Sequence, residues 1–303
     1  MTKVLCVGIA TLDHVYAVGE MPSRAEKYRA LDLAVAGGGT AATAAYAVAR
    51  LGGKPMLATR LGDDTTAREI VAELEGAGVD CSLARRFAGH RSPSSAVFVD
   101  RRGERLVMCH ADAGLPEAAA WLPPRLPPGT RAVLGDVSWV AGARRLFAAA
   151  RAAGVPSVID GDRVVEDPGY FDAASHVAYS AATVEALTGL RDPRDGLAAL
   201  ARKARNWIGV TDGERGVWFT ARGAIAHEPA FAVTAFDTLG AGDVFHGALA
   251  LALAEAMPER LAVRFANAAA ALKCTRFGGG RAGAPSRAEV EAFMRERRLA
   301  NSE

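Results

Sequence analysis

A glycine-rich turn, an aspartate and an apolar helix follow one another directly in residues 236–249, and this order predicts chemistry on a phosphate. The turn reads Asp237-Thr238-Leu239-Gly240-Ala241-Gly242-Asp243, and the apolar run that follows has helical spacing. The first N–H groups of a helix lack partners within it and lie at the positive end of its dipole, so they attract phosphate. Asp243 would repel a bound phosphate, which makes sense only if this carboxylate takes the proton from an attacking hydroxyl. We therefore predict a kinase that acts on an alcohol.

Short apolar runs that alternate with alanine-rich segments predict the elements that hold this turn. The predicted strands are Val4–Ile9, Met56–Leu61, Ala132–Val137, Ser157–Asp160, Val177–Ser180 and Trp207–Thr211. The predicted helices between them are Ala41–Leu51, Thr66–Ala77, Ala143–Ala153 and Gly196–Ala204. Buried strands that alternate with helices indicate an α/β fold with a parallel sheet covered on both faces. Ligands of such sheets bind at the carboxyl ends of the strands, where the Gly and Asp residues of this chain cluster.

Two regions interrupt the alternation and predict a small antiparallel sheet. His14–Glu20 pairs with Tyr28–Ala36 in the first predicted hairpin, and Ser94–Asp100 pairs with Arg105–His110 in the second, which turns at residues 101–104. A projecting sheet of this kind is suited to a lid that excludes water during phosphoryl transfer. The alternative is an edge extension used only for dimer contacts, and one sheet can serve both roles.

Composition limits the classes of partner. The 303 residues carry 36 Lys and Arg against 34 Asp and Glu without a basic block, which argues against nucleic acid and anionic membranes as partners. Four separated cysteines without a CxxC pair indicate free thiols in a reducing compartment. No signal peptide is recognisable, and the apolar segment 241–257 is too short and too polar to span a bilayer. We expect a soluble cytoplasmic protein.

A second glycine-rich turn predicts an acceptor site. Gly37-Gly38-Gly39 opens the helix that contains Thr43, so backbone can approach a ligand closely and a threonine hydroxyl can bind it. Asp13 follows the first strand at the same predicted sheet edge, where a carboxylate can accept hydrogen bonds from two sugar hydroxyls. The alternative for Asp13 is a turn or cap residue.

Motifs of two other nucleotide-binding classes are missing. The sequence has no GxxxxGK[ST], which excludes a P-loop enzyme, and no GxGxxG after the first strand, which argues against a dehydrogenase. Gly278–Gly283 superficially resembles the second motif but follows a predicted helix, and we interpret it as a loop.

Three segments together resemble the ribokinase-like (PfkB) carbohydrate kinases. Asp237–Asp243 closely resembles the second signature of that family, and Gly37–Thr43 with Arg50-Leu51-Gly52 resembles the first. Val210–Gly216 is similar to its nucleotide loop, and the matches occur in family order over nearly the whole chain. The resemblance implies one ribokinase-like three-layer α/β domain over residues 1–303, with lid strands from about residues 14–36 and 94–111.

The resemblance also implies roles for residues at matching positions. Asp243 would be the catalytic base, and the N–H groups of Gly240, Ala241, Gly242 and Asp243 would form an anion hole. The residues implied at the two ligands are Thr211, Gly213, Gly216 and Asn267 for ATP, and Asp13, Gly38 and Gly39 for the sugar. Mg²⁺ would accompany ATP, held mainly by phosphates and water. A monovalent cation such as K⁺ would bind near Asp237 and residues 273–283.

Within the family the chain most resembles the sulfofructose kinase branch, on Gly37–Thr43, Asp243–Leu249 and Leu272–Arg276. Lys27 of the predicted lid would then meet an anionic group of the sugar. However, Thr43 stands where many family members have Asn, and Cys109 and Ser138 stand where that branch would have Asn and Arg. Because these substrate-side residues differ from that branch, a neutral or differently charged sugar is an equal alternative to an anionic one.

Two further functions remain open at this point. A nucleoside kinase would need an aromatic acceptor pocket, for which the predicted lid offers Tyr16, Tyr28 and Phe98. A sugar sensor without activity would not need the intact Gly-Ala-Gly-Asp turn. His246 is interpreted as packed behind the turn, with contact to the nucleotide or influence on Asp243 as the alternative. We also expect a homodimer formed through the lid.

Overall fold

The computed structural model describes residues 1–102 and 104–299. Within them the chain forms two sheets from thirteen strands. In chain order the strands are β1 (Lys3–Val7), β2 (Thr11–Ala17), β3 (Asp32–Gly38), β4 (Lys54–Gly62), β5 (Asp80–Phe87), β6 (Ser94–Val99), β7 (Arg105–His110), β8 (Thr130–Gly135), β9 (Ser157–Gly161), β10 (His176–Ser180), β11 (Trp207–Thr211), β12 (Val217–Ala221) and β13 (Ala224–Glu228).

The large sheet has nine strands in the order β13-β12-β11-β10-β9-β8-β1-β4-β5. Neighbouring strands run parallel from β5 through β11, and β12 and β13 add an antiparallel pair at one edge. All six predicted strands lie in this sheet. β5, β12 and β13 were not predicted.

Helices cover both faces of the large sheet. They are α1 (Thr40–Arg50), α2 (Thr65–Gly76), α3 (Val140–Ala153), α4 (Ala181–Thr188), α5 (Pro193–Ala201), α6 (Ala241–Ala254), α7 (Glu259–Cys274), α8 (Gly279–Gly283) and α9 (Arg287–Leu299). Short 3₁₀ turns occur at Pro168–Ala173 and Gly213–Arg215. The four predicted helices correspond to α1, α2, α3 and α5. No helix in the described part of the chain is both long and apolar enough to cross a membrane.

Alternation along β1 shows how the two faces are buried. Val4 and Cys6 belong to a core cluster with α1, α2, α6 and α7, whereas Leu5 and Val7 belong to a second cluster with α3, α4 and α5. Successive strand residues point to opposite faces, so this all-apolar strand is buried on both sides. Small residues let α1 and α6 approach closely, because a Cβ at Gly247 would lie 2.5 Å from the Ala44 carbonyl oxygen.

The small sheet has the order β3-β2-β6-β7. β2 pairs with β3 and β6 with β7 in antiparallel fashion, as the two predicted hairpins require, while β2 and β6 run parallel between the pairs. The strand predicted from Tyr28 begins only at Asp32, and residues 18–31 form a connection that is exposed from residue 23 onward. The predicted turn at 101–104 includes Gly103, which lies outside the described residues.

Candidate active site

The turn before α6 leaves backbone donors free at the start of that helix. Gly240 adopts a left-handed conformation, with φ of 77°, and caps α6 without any side-chain hydrogen bond. The N–H of Ala241 donates to the Thr238 carbonyl oxygen at 3.2 Å, so this predicted anion-hole donor is engaged. Within the described residues the N–H groups of Gly242 and Asp243 have no acceptor. Two adjacent donors at the positive end of α6 can therefore bind an anion.

The two glycines of this turn have different surroundings. A Cβ at Gly240 would lie 2.4 Å from Gly280 Cα, so the turn packs directly against the backbone that precedes α8. A Cβ at Gly242 would meet nothing within 4 Å, and Gly242 is exposed. Gly240 is therefore needed for backbone conformation and packing, whereas Gly242 leaves the approach to the helix terminus open.

Asp243 lies half-buried in the first turn of α6, a helix that packs against β8 and β9. Burial and the nearby Asp160 raise the pKa of Asp243 well above its ordinary value, with smaller contributions from Asp162 and Asp136. The charge of His246 acts in the opposite direction. A carboxylate with a raised pKa that remains ionised is a strong proton acceptor, which suits a general base.

His246 is buried behind Asp243, one turn further along α6. Its Nδ1 lies 2.7 Å from the Gly242 carbonyl oxygen and 2.9 Å from Asp160 Oδ2, and its Nε2 lies 3.1 Å from the Ala178 carbonyl oxygen. Both ring nitrogens face acceptors, so both donate and the ring is cationic. Burial alone would lower the pKa of His246, but the Asp160 carboxylate raises it. The prediction of a packed histidine agrees with these contacts, and its position beside Asp243 also allows electrostatic influence.

Asp136 is a buried carboxylate that sequence reasoning missed. It accepts hydrogen bonds from the N–H groups of Ile9 at 2.8 Å, Ser138 at 2.7 Å and Ala41 at 3.3 Å. Burial raises the pKa of Asp136 to about 6. The carboxylate joins the ends of β1 and β8 to the start of α1. Its place after the apolar run 132–135 at a strand end is the signal that could have identified it.

Asp237 holds the other end of the 237–243 turn. Its Oδ1 accepts the N–H of Leu239 at 2.8 Å, and its Oδ2 accepts the N–H of Gly279 at 2.8 Å and that of Gly278 at 3.2 Å. The ammonium of Lys273 donates to the Asp237 carbonyl oxygen at 2.6 Å. Burial opposes ionisation, but the hydrogen bonds from Gly279 and Leu239 and the charge of Lys273 lower the pKa of Asp237. The carboxylate is therefore a fixed anion that ties the turn to α7 and α8.

On the predicted sugar side, Asp13 and the glycine turn of α1 lie together. Asp13 Oδ1 accepts the Thr11 hydroxyl at 2.8 Å, and a Cβ at Gly38 would lie 1.9 Å from Asp13 Oδ2. Gly39 caps α1 with φ of 86°, and a Cβ there would lie 2.7 Å from the Ile9 carbonyl oxygen. Because Gly38 lacks a side chain, the carboxylate of Asp13 fits against the backbone of this turn.

Arg281 joins the two glycine-rich turns, which the interpretation of residues 278–283 as a loop did not anticipate. These residues form the short helix α8, and the buried guanidinium of Arg281 donates to the Gly38 carbonyl oxygen and to Glu73, both at 2.8 Å. A Cβ at Gly37 would overlap the guanidinium at 1.4 Å. The segment that packs on Gly240 thus also supports the predicted sugar turn.

The remaining substrate-side residues occupy different environments. Thr43 is buried in α1, and its Cγ2 packs against Gly280. A Cβ at Gly280 would lie only 2.4 Å from Thr43 Cγ2. Cys109 is exposed on β7, and its sulfur accepts the Ser95 hydroxyl at 3.4 Å. Ser95 pairs with Asp13 on β2, so Asp13, Ser95 and Cys109 share one row and one face of the small sheet.

Ser138 and Lys27 lie apart from that row. Ser138 lines a cavity of about 240 Å³ together with Arg60 and Arg163 at the end of β1. Its hydroxyl accepts a hydrogen bond from Arg163 at 3.0 Å, and its carbonyl oxygen accepts one from Arg60 at 3.3 Å. Lys27 is exposed in the connection between β2 and β3, and among the described residues it forms no ion pair or hydrogen bond.

Three of the predicted nucleotide residues lie at or just after the end of β11, and the fourth, Asn267, lies on α7 beside the end of β13. Thr211 ends β11, and its hydroxyl donates to the Tyr179 carbonyl oxygen at 3.2 Å. Gly213 begins the 3₁₀ turn and Gly216 follows it, with φ of 53° and 91°, and a Cβ at Gly216 would lie 2.3 Å from the Glu228 carbonyl oxygen. The buried amide of Asn267 donates to the carbonyl oxygens of Glu228 and Pro229, both at 3.3 Å. Asn267 thus orders the chain after β13.

This combination of fold and site is shared with known kinases. A structure from Agrobacterium tumefaciens, described as that of a candidate ribokinase, has a TM-score of 0.92 at 40% identity and covers 97% of this chain and 98% of its own. Fructokinase of Klebsiella pneumoniae is 32% identical over 259 residues, or 78% of this chain and 83% of that protein. Ribokinase of Bacillus subtilis is 44% identical over 85 residues, which are 28% of this chain and 29% of that protein.

The architecture is therefore the ribokinase-like α/β fold. A model of the pfkB family carbohydrate kinases matches residues 1–287. The chain belongs to this family, and it is an ATP-dependent carbohydrate kinase.

Proposed function

We propose that this kinase transfers the γ-phosphoryl group of ATP to a sugar hydroxyl, with Asp243 as the general base. The observation that carries this proposal is the position of Asp243. This residue is half-buried at the positive end of α6, where its own backbone N–H and that of Gly242 are free. A hydroxyl bound there can lose its proton to the carboxylate while the transferring phosphoryl group is bound by the two donors.

The acceptor sugar binds between the small sheet and the turn of α1. The Asp13 carboxylate accepts hydrogen bonds from sugar hydroxyls, since one of its oxygens is already positioned by Thr11. Ser95 and Cys109 continue the same row of the sheet. The small sheet then acts as a lid over a single domain and excludes water, so that the phosphoryl group goes to the sugar.

ATP binds on the opposite side of Asp243, near Thr211, Gly213 and Gly216, where the space beside Gly213 is open. Asn267 supports this site by ordering residues 228–229, and it contributes to adenine binding through that support. Mg²⁺ enters with the nucleotide, where phosphate oxygens and water are its main ligands and it neutralises charge on the transferring group.

The identity of the sugar depends on the residues on the acceptor side of the site. The two relatives named above are a fructokinase and a ribokinase, and they give no support to the sulfofructose branch. Lys27 is exposed and is not among the described residues that line the cavity at Ser138, whereas Arg60 and Arg163 line it. Most donors of Arg60 are taken by backbone oxygens and Glu117, so we favour a neutral pentose or hexose.

The geometry disfavours a nucleoside acceptor. Tyr16 stacks on Phe98 at a centroid distance of 5.5 Å, and the two are directly paired on β2 and β6. Because Tyr16 is three residues from Asp13 along one strand, the aromatic pair points to the face opposite Asp13. The hydroxyl of Tyr28 accepts hydrogen bonds from the N–H groups of Ser23 and Arg24 within the connection. These aromatic rings therefore do not line the acceptor site.

Measurement of ADP formation tests the proposal. The purified protein with Mg-ATP is offered ribose, 2-deoxyribose, fructose and adenosine, with Asp243→Asn as the control that lacks the base. We expect sugar-dependent ADP formation in the native protein that is lost in the control. Tight sugar binding without ADP formation would instead favour a sensor, and phosphorylation of adenosine alone would favour a nucleoside kinase.

We also propose that the protein is a homodimer formed through the outer face of the small sheet. This outer face is the side opposite Asp13, and it exposes a row of large apolar residues that includes Leu33, Val35, Leu106 and Met108. Exposed apolar patches of this kind mark interaction sites. Light scattering of the purified protein would contradict the proposal if it gave the mass of a single chain.

A further inference from the structure

A buried ammonium group lies beside the phosphate-binding turn, and the proposed reaction does not use it. Lys273, near the end of α7, has no exposed side-chain surface, which is rare for lysine unless its charge is paired. Its Nζ donates to the Asp237 carbonyl oxygen at 2.6 Å and lies 3.3 Å from Asp237 Oδ2. The charge is therefore compensated by the residue that begins the 237–243 turn.

The surroundings show that the ammonium is held in place from several sides. A Cβ at Gly283 would lie 3.0 Å from Lys273 Cε, so α8 packs against the lysine stem. The backbone N–H groups of Phe236 and Asp237 donate to the Cys274 carbonyl oxygen, which joins the turn to the end of α7. Asp237 Oδ2 also accepts the N–H groups of Gly278 and Gly279. One positive charge thus holds together the turn, the end of α7 and the start of α8.

A monovalent cation does not fit the same oxygens. The resemblance to the family implies such a cation near Asp237 and residues 273–283, where Asp237 offers a carbonyl and a carboxylate oxygen to a cation. In this chain the Lys273 ammonium already contacts both oxygens, and a second cation at this distance would be repelled. The two oxygens of Asp237 are therefore already bound by a positive charge, and no free ion is needed there.

We infer that Lys273 is a tethered cation that replaces a dissociable monovalent ion and positions the anion-binding turn, so that turnover does not depend on K⁺. This inference rests on the proposed phosphoryl transfer. Lys273 is a positioning residue, because it acts on the free N–H groups of Gly242 and Asp243 through Asp237 and the packing of Gly240 on Gly280.

The first experiment uses the native protein. ADP formation with the best sugar of the panel is measured in KCl, NaCl and tetramethylammonium chloride at constant ionic strength, and melting temperatures are recorded in the same buffers. We expect equal turnover and equal melting temperatures in all three. Activation by K⁺, or an anomalous-scattering peak of Tl⁺ beside Asp237 in crystals of the native protein, would overturn the inference.

Three variants separate charge from shape. Lys273→Ala removes the ammonium and leaves space, Lys273→Met removes it and fills the space, and Lys273→Arg keeps a charge. We expect kcat to fall roughly 100-fold in the first two, the scale of a lost anion-hole donor. Added NH₄⁺ or K⁺ should restore part of the activity and raise the melting temperature of Lys273→Ala, but not of Lys273→Met. Lys203→Ala, at an exposed lysine of the same chain, is the control that should change neither.

The melting temperatures keep the inference testable if no sugar of the panel is phosphorylated, since the cation response is measured without substrate. The absence of phosphorylation would contradict the proposed function, and the effect of the cations on the melting temperatures would still test the role of Lys273. Wild-type activity and stability of Lys273→Met in tetramethylammonium chloride would overturn the role of Lys273. So would a Lys273→Ala protein whose melting temperature does not respond to NH₄⁺.

Discussion

The turn at residues 237–243 and the four-stranded small sheet differ in how their surroundings hold them. The turn is fixed by Asp237, by the contact of Gly240 with Gly280 and by the buried Lys273. By contrast, every residue of β7 in the small sheet is exposed, and four of the seven residues of β3 are exposed as well. A site that binds a transition state requires preorganised donors, whereas a lid requires freedom to open.

This difference suggests a division of roles between the two regions. Changes in the turn should affect the chemical step and therefore kcat. Changes in the small sheet should affect sugar binding or subunit association, and therefore KM or the mass of the particle. The following substitutions test this division, in decreasing order of expected effect.

The largest effect is expected for Asp243→Asn, which should lower kcat at least about 100-fold because a general base is lost. Nucleotide binding, measured by calorimetry, should persist. The folded state raises the pKa of Asp243, so ionisation of this group costs stability as pH rises above its unfolded pKa. Asparagine removes that cost, and the melting temperature of the variant should exceed that of the native protein at pH 8 more than at pH 4. Near-normal turnover would contradict the assignment.

The two glycines of the turn form a matched pair. Gly242→Ala should lower kcat by about 100-fold at unchanged melting temperature, because its methyl group enters the open approach to the N–H donors. Gly240→Ala should lower both, since it strains a backbone with φ of 77° and overlaps Gly280, at a cost of about 1–3 kcal/mol. Equal stability losses in the two variants, measured by thermal unfolding, would show that the open approach at Gly242 is misassigned.

In the small sheet, Asp13→Asn should act on binding. Loss of the charged acceptor should raise the KM for the sugar about 10- to 100-fold, the scale of one or two hydrogen bonds to a charged group, with a smaller change in kcat. Initial-rate kinetics with varied sugar at saturating ATP measure both constants. A kcat loss as large as that of Asp243→Asn, at unchanged KM, would remove the distinction between the two regions.

His246→Gln tests whether the buried imidazolium acts on the base. The charge of His246 lowers the pKa of Asp243, so its removal should raise that pKa and reduce kcat at neutral pH about tenfold. The rate should recover as pH rises, because Asp243 then ionises again. A pH profile of kcat measures the shift. A uniform loss at every pH would indicate a role in packing only.

The smallest catalytic effect is expected at the outer face of the small sheet. Met108→Glu should dissociate the proposed dimer while kcat stays near the native value, because Met108 points away from Asp13. Val107 is the matched control on the same strand, since it pairs with Val97 on the Asp13 face. Val107→Glu should change the KM for the sugar and leave the dimer intact. Size-exclusion chromatography with light scattering reports the mass of both variants.

Local patterns in the sequence sufficed for most of the large sheet and for the turn beside Asp243. The apolar runs at residues 56–61 and 207–211 mark buried strands by length and composition alone. The turn is equally local, because Gly240 and Gly242 lie next to the helix they begin. β12 and β13 were missed because the two residues that join them, Arg222 and Gly223, are not one of the Asn-Gly, Asp-Gly or Gly-Gly pairs that mark such hairpins.

The supporting contacts of the site could not be predicted in the same way. The ion pair of His246 with Asp160, the ammonium of Lys273 on Asp237 and the packing of Gly280 on Gly240 all join residues that are distant in sequence. Neither the spacing of apolar residues along the chain nor the residue types in the turns carry information on such contacts. β2 occupies Thr11–Ala17 instead of the predicted His14–Glu20 for the same reason, because its register is determined by pairing with β3 and β6.

The bond from Arg281 to the Gly38 carbonyl oxygen spans 243 positions of the chain, and it has a consequence for synthesis. All thirteen described strands end by Glu228, so the ribosome has released every strand before α8 exists. Contacts between residues so distant in sequence form late, after the loops between them have closed. A nascent or truncated chain that ends before Gly278 can therefore assemble its sheets but lacks the segment that joins the two glycine-rich turns. Kinase activity should therefore appear only after residues 279–283 have been made.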